Sequence, residues 1–374
     1  MADTQPTLWD PDPHTWAKHQ ILRSYLQAWA PILSRRLRRE PLGRNCLLFV
    51  DGFAGPGIYR KDEDGSPVLA IKTILDHSVE LPVPVRFLFI EEKSERYASL
   101  KCRIADLKGQ TDASSRIDKI TLQQGECSRV LTEGIDRYDR QKRPLGPAFF
   151  FLDQFGYSHV PMNLIGRIMS HPQCEVLVYL NWEKMNRFMG DSRKWDALNR
   201  AFGGEEWKPA LNMQGEERKE HILQIYKQCL RSTGKARYVW HFAMLGETNS
   251  LLNWLFFGTN SLRGLEVMKR AMTKTDTTGC FQFSDGDNPL QLQFLDVFTN
   301  EWLADHLSSH FRDEKMPVSQ IKEFVLEHTP MYLFKGALAR LEKEGRLEIV
   351  GAPANRRIGT FSDLTMPVLF QKSP

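Results

Sequence analysis

An apolar run, Leu47-Leu48-Phe49-Val50, ends in Asp51 and passes at once into Gly52-Phe53-Ala54-Gly55-Pro56-Gly57. A buried parallel strand hands its backbone to a nucleotide-like ligand through such a junction. Glycines at 52, 55 and 57 permit positive φ and let a ligand approach the main chain with no Cβ in the way. Only Gly55 and Gly57 have the first spacing of G-x-G-x-x-G, so this is not the dinucleotide fingerprint. The acid after the strand would repel a pyrophosphate, whereas it can accept from a cationic or hydroxyl-bearing ligand. The loop therefore suits S-adenosylmethionine, which carries an amino acid and a sulfonium, better than NAD. The competing reading is a tight strand-to-loop turn with no ligand.

From Cys46 to Ala243, β-type runs alternate with helical patterns. The runs are Cys46–Val50, Val85–Ile90, Ile120–Gln123, Ala148–Leu152 and Glu175–Leu180. The helical patterns are Ser66–Leu75, Ser94–Leu107, Cys127–Tyr138, Met162–Met169 and Glu216–Leu230. Such alternation predicts a Rossmann-like α/β fold, a parallel sheet covered by helices on both faces. Two further runs, Tyr238–Leu245 and Leu251–Thr259, flank Gly246-Glu247-Thr248-Asn249-Ser250 and read as a hairpin. A mostly parallel sheet closed at one edge by an antiparallel hairpin is the pattern of class I methyltransferases. Residues 181–236, polar and aromatic-rich, read as a helical cap insertion of the kind in which substrate choice often resides.

Ahead of this domain, His14 to Arg39 reads as a helix with apolar residues at three- and four-residue steps, kinked by Pro31. It ends in Arg35-Arg36-Leu37-Arg38-Arg39, either a dipole-complementing solvated face or a phosphate contact. The predicted organisation is an N-terminal helical segment (1–45), the Rossmann-like domain (46–290) and a C-terminal domain (291–374).

Composition narrows the class. A chain of 374 residues exceeds one ordinary core. Its 41% hydrophobic and 26% charged residues describe a globular protein. Net charge +4 permits a polyanionic partner without requiring one. No apolar run approaches the roughly 18 residues that would span a bilayer, and the acidic, proline-rich start is no secretory signal. The six cysteines are scattered and lack metal-ligand spacing. The expectation is a cytoplasmic protein with reduced thiols, no metal and no membrane association.

The C-terminal domain changes texture. Leu295–Phe311, Val318–His328 and Met331–Glu344 read as helices, and Leu347–Val350 and Ile358–Phe361 as short strands. Helix, turn, helix and two-stranded ribbon predict a winged helix. Tyr332, Lys335 and Arg340 fall on its candidate recognition helix, and Arg356 and Arg357 on the wing, where they would meet phosphates. Glu342 and Glu344 dilute the positive face, so a protein-contact role stands beside nucleic-acid binding.

Taken together, several stretches give the chain a resemblance to the three-Cys-motif partner proteins. They are His14-Thr15 with Lys18-His19, the 51–57 loop, Gly65-Ser66-Pro67, Phe89-Ile90-Glu91, Phe151-Leu152-Asp153-Gln154-Phe155-Gly156 and Gly264-Leu265-Glu266-Val267-Met268-Lys269. The resemblance implies a class I S-adenosylmethionine-dependent methyltransferase fold with a C-terminal winged-helix-like segment. It also implies a radical-S-adenosylmethionine-like companion that carries the three cysteines, and it implies no settled substrate. The family's motif after the fourth strand looks like Asp-Pro-Phe-Gly. In similar amino-methyltransferases, Asp-Pro-Pro-Tyr grips the target amine through an acid, a carbonyl and a ring. Asp153 and Phe155 keep the acceptor and the ring, while Gln154 in place of proline is expected to loosen the turn.

On this reading Asp153 and Phe155 are the catalytic candidates. Asp51 with Gly52, Phe53, Ala54, Gly55 and Gly57 would hold the methionine end of the cofactor. Glu91, rather than its competitor Glu92, would take the ribose hydroxyls, and Glu126 the adenine amine. Each acid also reads plainly as a solvated strand-end carboxylate. His14, Lys18 and His19 sit at a helix start, where caps are common, and Lys18 is a candidate for a carboxylate or phosphate. Trp182, Asn186 and Arg187 follow the fifth strand, where substrate contacts arise. Two functions compete: a methyltransferase acting on nucleic acid, and a non-catalytic module that binds nucleic acid or protein on the same scaffold. NAD-dependent redox chemistry fits less well.

Overall fold

The computed structural model describes residues 13–40, 45–60, 63–276, 281–284, 298–351 and 356–371. The start of the helix read at Leu295–Phe311 and residues 352–355 of the wing lie outside them. The described residues form two compact units, one running to Thr275 and taking in Phe283, the other holding the C-terminal elements.

In the first unit, α1 (Pro13–Arg39) precedes β1 (Leu47–Asp51), α2 (Ser66–Leu75), β2 (Val85–Glu91), α3 (Ser94–Asp106), α4 (Lys108–Asp112), β3 (Ile117–Gln124), α5 (Cys127–Arg140), β4 (Ala148–Leu152), α6 (Met162–Met169) and β5 (Cys174–Asn181). Then come α7 (Trp182–Phe188), α8 (Trp195–Phe202), α9 (Gly215–Arg231), β6 (Tyr238–Leu245), β7 (Leu251–Thr259), α10 (Leu262–Thr273) and β8 (Gln282–Ser284). The strand order is β3-β2-β1-β4-β5-β7-β6-β8. β1 to β5 pair in parallel, and β7 runs antiparallel to both β5 and β6. The sheet is thus mostly parallel with the hairpin the sequence predicts, and β8 adds an edge strand the sequence did not signal.

Alternation along β1 sorts the core into two layers. Leu48 and Val50 join a cluster with β4, β5, α5, α6, α8 and α9. On the other face Phe49 meets Phe149, Phe87 and Phe89, and Tyr25 of α1 packs on Phe149 and Phe257. α1 is part of this unit rather than a separate segment, and it runs through Pro31 to Arg39 as one helix. Its fixing point is the buried Glu175, which accepts from Tyr25 Oη at 2.6 Å and from Thr259 Oγ1 at 2.7 Å. Segment 181–236 is helical as read, but Trp182, Met185, Phe202, Trp207 and Tyr226 sink into the sheet-face core. Gly166 lets α6 approach closely: a Cβ there would lie 2.2 Å from the Thr233 carbonyl oxygen.

The second unit orders α11 (Asn300–His310), β9 (Lys315–Pro317), α12 (Val318–His328), α13 (Lys335–Lys343), β10 (Leu347–Ile349) and β11 (Pro367–Phe370). Its three strands form an antiparallel sheet in the order β10-β11-β9. The strand read at Ile358–Phe361 is absent; β11 takes its place. Gly359 at φ +82° and the Arg356 guanidinium bonded to the Thr360 carbonyl curl that stretch instead. α13 begins at Lys335, so Tyr332 precedes the helix rather than lying on it.

Candidate functional site

The parallel strands β1, β4 and β5 end together at one cleft of about 200 Å³. Its walls are the 53–59 loop, His14, Thr15 and Lys18 of α1, Asp153 to Phe155 after β4, and Tyr179, Asn181 and Lys184 at the end of β5. Open α/β sheets place ligands at this edge, where the strand order reverses.

The loop after β1 is held from beneath. Gly52 N donates to Phe151 O, Phe53 N to Asp51 Oδ1, Ala54 N to Ile90 O and Gly55 N to Glu91 Oε2, each at 2.9 to 3.0 Å. Gly55 at φ +63° and Gly57 at φ +78° make the turn. Four successive amides therefore face inward, and this stretch is no anion-binding nest. Asp51 is fully buried, its second oxygen accepting from Ser66 Oγ at 2.7 Å. Glu91 is buried too and also accepts from Lys93 N at 2.8 Å. Both carboxylates brace the loop, and neither lines the cleft. Glu92 is exposed.

Burial pushes the Asp51 carboxyl from 3.8 up to about 7, against the bonds from Ser66 and Phe53 and helped by the Asp153 and Glu91 charges. Burial likewise raises Glu91. An unfolded chain has released the Asp51 proton by about pH 4, while the folded one keeps it until about 7. Stability from this group is therefore highest below pH 4, falls across pH 4–7 and is lowest above, by at most about 4 kcal/mol. Asp51→Asn keeps the acceptor for Phe53 N, so we expect it to flatten this fall. Melting temperatures of parent and variant at pH 5 and pH 8 test the point; an equal fall in both would refute it.

Lys18 and Asp153, 135 residues apart, meet in the cleft with Nζ 2.6 Å from Oδ2. Lys18 also lies over the Tyr179 ring at 4.6 Å from its centroid. Beside it, burial and the Lys18 charge lower His19 to about 4, leaving a neutral imidazole against Tyr59. Gln154 does not loosen the turn after β4. Its buried amide donates to Tyr179 O at 3.0 Å and accepts from His159 N and Val160 N, so the side chain supplies the restraint expected of a proline. Phe155 stands 44% exposed, with the Arg96 guanidinium 5.6 Å from its ring centroid and Lys184 Nζ on its carbonyl at 3.1 Å.

Other sequence candidates fall elsewhere. Glu126 is exposed at the start of α5, accepting from Ser128 Oγ, and is not in the cleft wall. Arg187 is exposed over Phe188, Trp182 is buried against Trp254, and Asn186 accepts from Arg218. In the second unit, Arg356 is engaged by Glu342 and Arg340 by Glu301 and Glu344, while Lys335 and Arg357 are exposed. Sequence reasoning missed Lys184, Tyr179 and Tyr59. Tyr179 was signalled only by its place near the end of an apolar strand, and Tyr59 by nothing local. Among the described residues no group of three or more His, Cys, Asp or Glu is placed to hold a metal, and no helix is long and apolar enough to cross a membrane.

No family model matches the chain, and no curated protein matches it. Among solved structures it is similar to a "putative methyltransferase" from Porphyromonas gingivalis W83, at 10% identity and a TM-score of 0.26. The match covers 62% of this chain and 40% of that one, less than half its length. The resemblance to the three-Cys-motif partner proteins thus rests on the motifs quoted above.

Proposed function

We propose that the chain is an S-adenosylmethionine-dependent methyltransferase acting on an amino group of nucleic acid. The observation that carries the reading is the inward turn of the four amides of residues 52–55 onto Phe151, Asp51, Ile90 and Glu91. This stretch offers a ligand no amide donors. Behind it stand two buried acids, which suit a sulfonium and an ammonium and disfavour a pyrophosphate. When bound, the cofactor supplies an electrophilic methyl group, and its sulfonium leaves as a neutral thioether once the C–S bond breaks. Residues 53–57 would hold its methionine end, with Glu91 or the exposed Glu92 toward the ribose.

The chain's own part is positioning. Lys18 donates to Asp153 Oδ2, and among the described residues Oδ1 has no hydrogen-bond partner. That oxygen would accept a substrate N–H and draw the nitrogen lone pair out of conjugation. Phe155 would stack on the base, with Arg96 and Lys184 placed for the flanking phosphate. In the second unit the order helix, strand, helix, helix, strand, strand supports a winged helix, with Lys335, Tyr332 and Arg357 as its nucleic-acid contacts. The radical-S-adenosylmethionine-like companion stays a proposal from the family resemblance.

A second reading, a binding module without turnover, is favoured by the Lys18–Asp153 pair, which already occupies half of the acceptor. Titration calorimetry with S-adenosylhomocysteine, followed by labelled methyl transfer to DNA and RNA pools, separates the two. Binding with transfer supports the enzyme, binding without transfer the module, and no binding at millimolar ligand removes both cofactor readings.

A further inference from the structure

A second cavity, of about 450 Å³, opens away from the strand-end cleft, where α1, the start of β5, the end of β7 and the start of α10 meet. Its volume lies within the roughly 300–1,000 Å³ range of small-molecule sites. Trp29, Ile32, Leu33 and Val267 give it an apolar wall, and Arg36 and Arg263 belong to its lining as well. Trp29 is 2% exposed, and its indole N–H closes no hydrogen bond of acceptable geometry among the described residues. A buried donor left open beside a cavity is costly unless a guest supplies an acceptor.

The two arginines are available to a guest. Arg36 meets Glu40 at 3.5 Å, and Arg263 meets Glu266 at 2.7 Å, both on exposed arginine side chains within one helix turn. Such surface pairs are weak and exchange readily for a better-placed anion. The cavity's own acid, Glu175, is turned to Tyr25 and Thr259 and is satisfied on both oxygens. We propose that this cavity is a second ligand site, which takes a small molecule with an apolar body and one anionic group, the body against Trp29 and Leu33 and the anion at Arg36 and Arg263. The assignment is independent of the methyltransferase reading.

The full chain is titrated with 8-anilinonaphthalene-1-sulfonate, an apolar sulfonate that fluoresces when sheltered from water, and then challenged with decanoate, decanol and decyltrimethylammonium. The expected result is saturable one-to-one binding, displaced by decanoate well ahead of the neutral and cationic chains. Arg36→Ala with Arg263→Ala should weaken it about tenfold, the loss of one charge-assisted contact. Leu33→Trp, which fills the cavity, should abolish it while circular dichroism stays unchanged; Ile32→Phe replaces that variant if it fails to fold. No saturable binding, or binding unchanged by the filled cavity, overturns the site. Equal displacement by decyltrimethylammonium overturns its preference for anions. Neither outcome touches S-adenosylhomocysteine binding, measured in parallel.

Discussion

Asparagine in place of Asp153 is expected to cut methyl transfer about a hundredfold or more while leaving S-adenosylhomocysteine affinity within about twofold. The magnitude is that of a lost acceptor acting on a reacting group, typically 10²–10⁴-fold. The side chain sits in the cleft wall beside Lys18, not among the groups that brace the 52–55 amides, so cofactor binding should survive. An asparagine amide can present a donor where the substrate N–H needs an acceptor, and it also removes the charge that Lys18 pairs with. Single-turnover transfer and calorimetry on the same preparation read the two effects apart. A variant with parental transfer would exclude Asp153 from the chemistry. A variant that loses both transfer and cofactor binding would assign it to the scaffold.

Gly166→Ala is expected to lower the melting temperature by about 5–10 °C, and Gly134→Ala to leave it level or raise it. Both glycines lie in helices, and both changes add one methyl group of good helix propensity, worth up to about 1 kcal/mol. At Gly166 the new Cβ would lie 2.2 Å from the Thr233 carbonyl oxygen, a backbone atom that cannot rotate away. Overpacking of this kind costs roughly 1–3 kcal/mol, and about 2–4 °C per kcal/mol for a domain of this size. At Gly134 nothing lies within 4 Å of the added atom, so only the propensity gain remains. Thermal melts at one pH compare them directly. Equal losses would mean that α6 is not seated on the Thr233 turn as described.

The sheet was legible because each strand carries its own signal. Ala148–Leu152 and Met162–Met169 fall where the apolar runs place them. The hairpin at β6 and β7 was legible from a polar turn between two β-rich runs. The C-terminal strands were less so: β9 is three residues long, and Ile358–Phe361 has strand-like residues that a side-chain bond from Arg356 and a positive φ at Gly359 bend away. At the cleft, sequence supplied the residue types but not their partners. Lys18 had no local feature tying it to Asp153, since only the packing of α1 on the sheet brings them together. Gln154 read as the loss of a rigid proline, because the three hydrogen bonds that replace the ring reach residues 5, 6 and 25 positions away. Asp51 and Glu91 looked like ligand contacts and proved to be buried braces, since a strand-end acid has the same sequence signature in both roles.

One helix borders both openings. Lys18 reaches the cleft, and Tyr25, two turns along at about 10 Å, is bolted to Glu175 beside the lower cavity. A rod fastened at that point moves as a lever: a nudge against Trp29 at the far end is felt by the ammonium at the near end. Energetic linkage of that sort is mutual, so a guest at either mouth would report on the occupancy of the other.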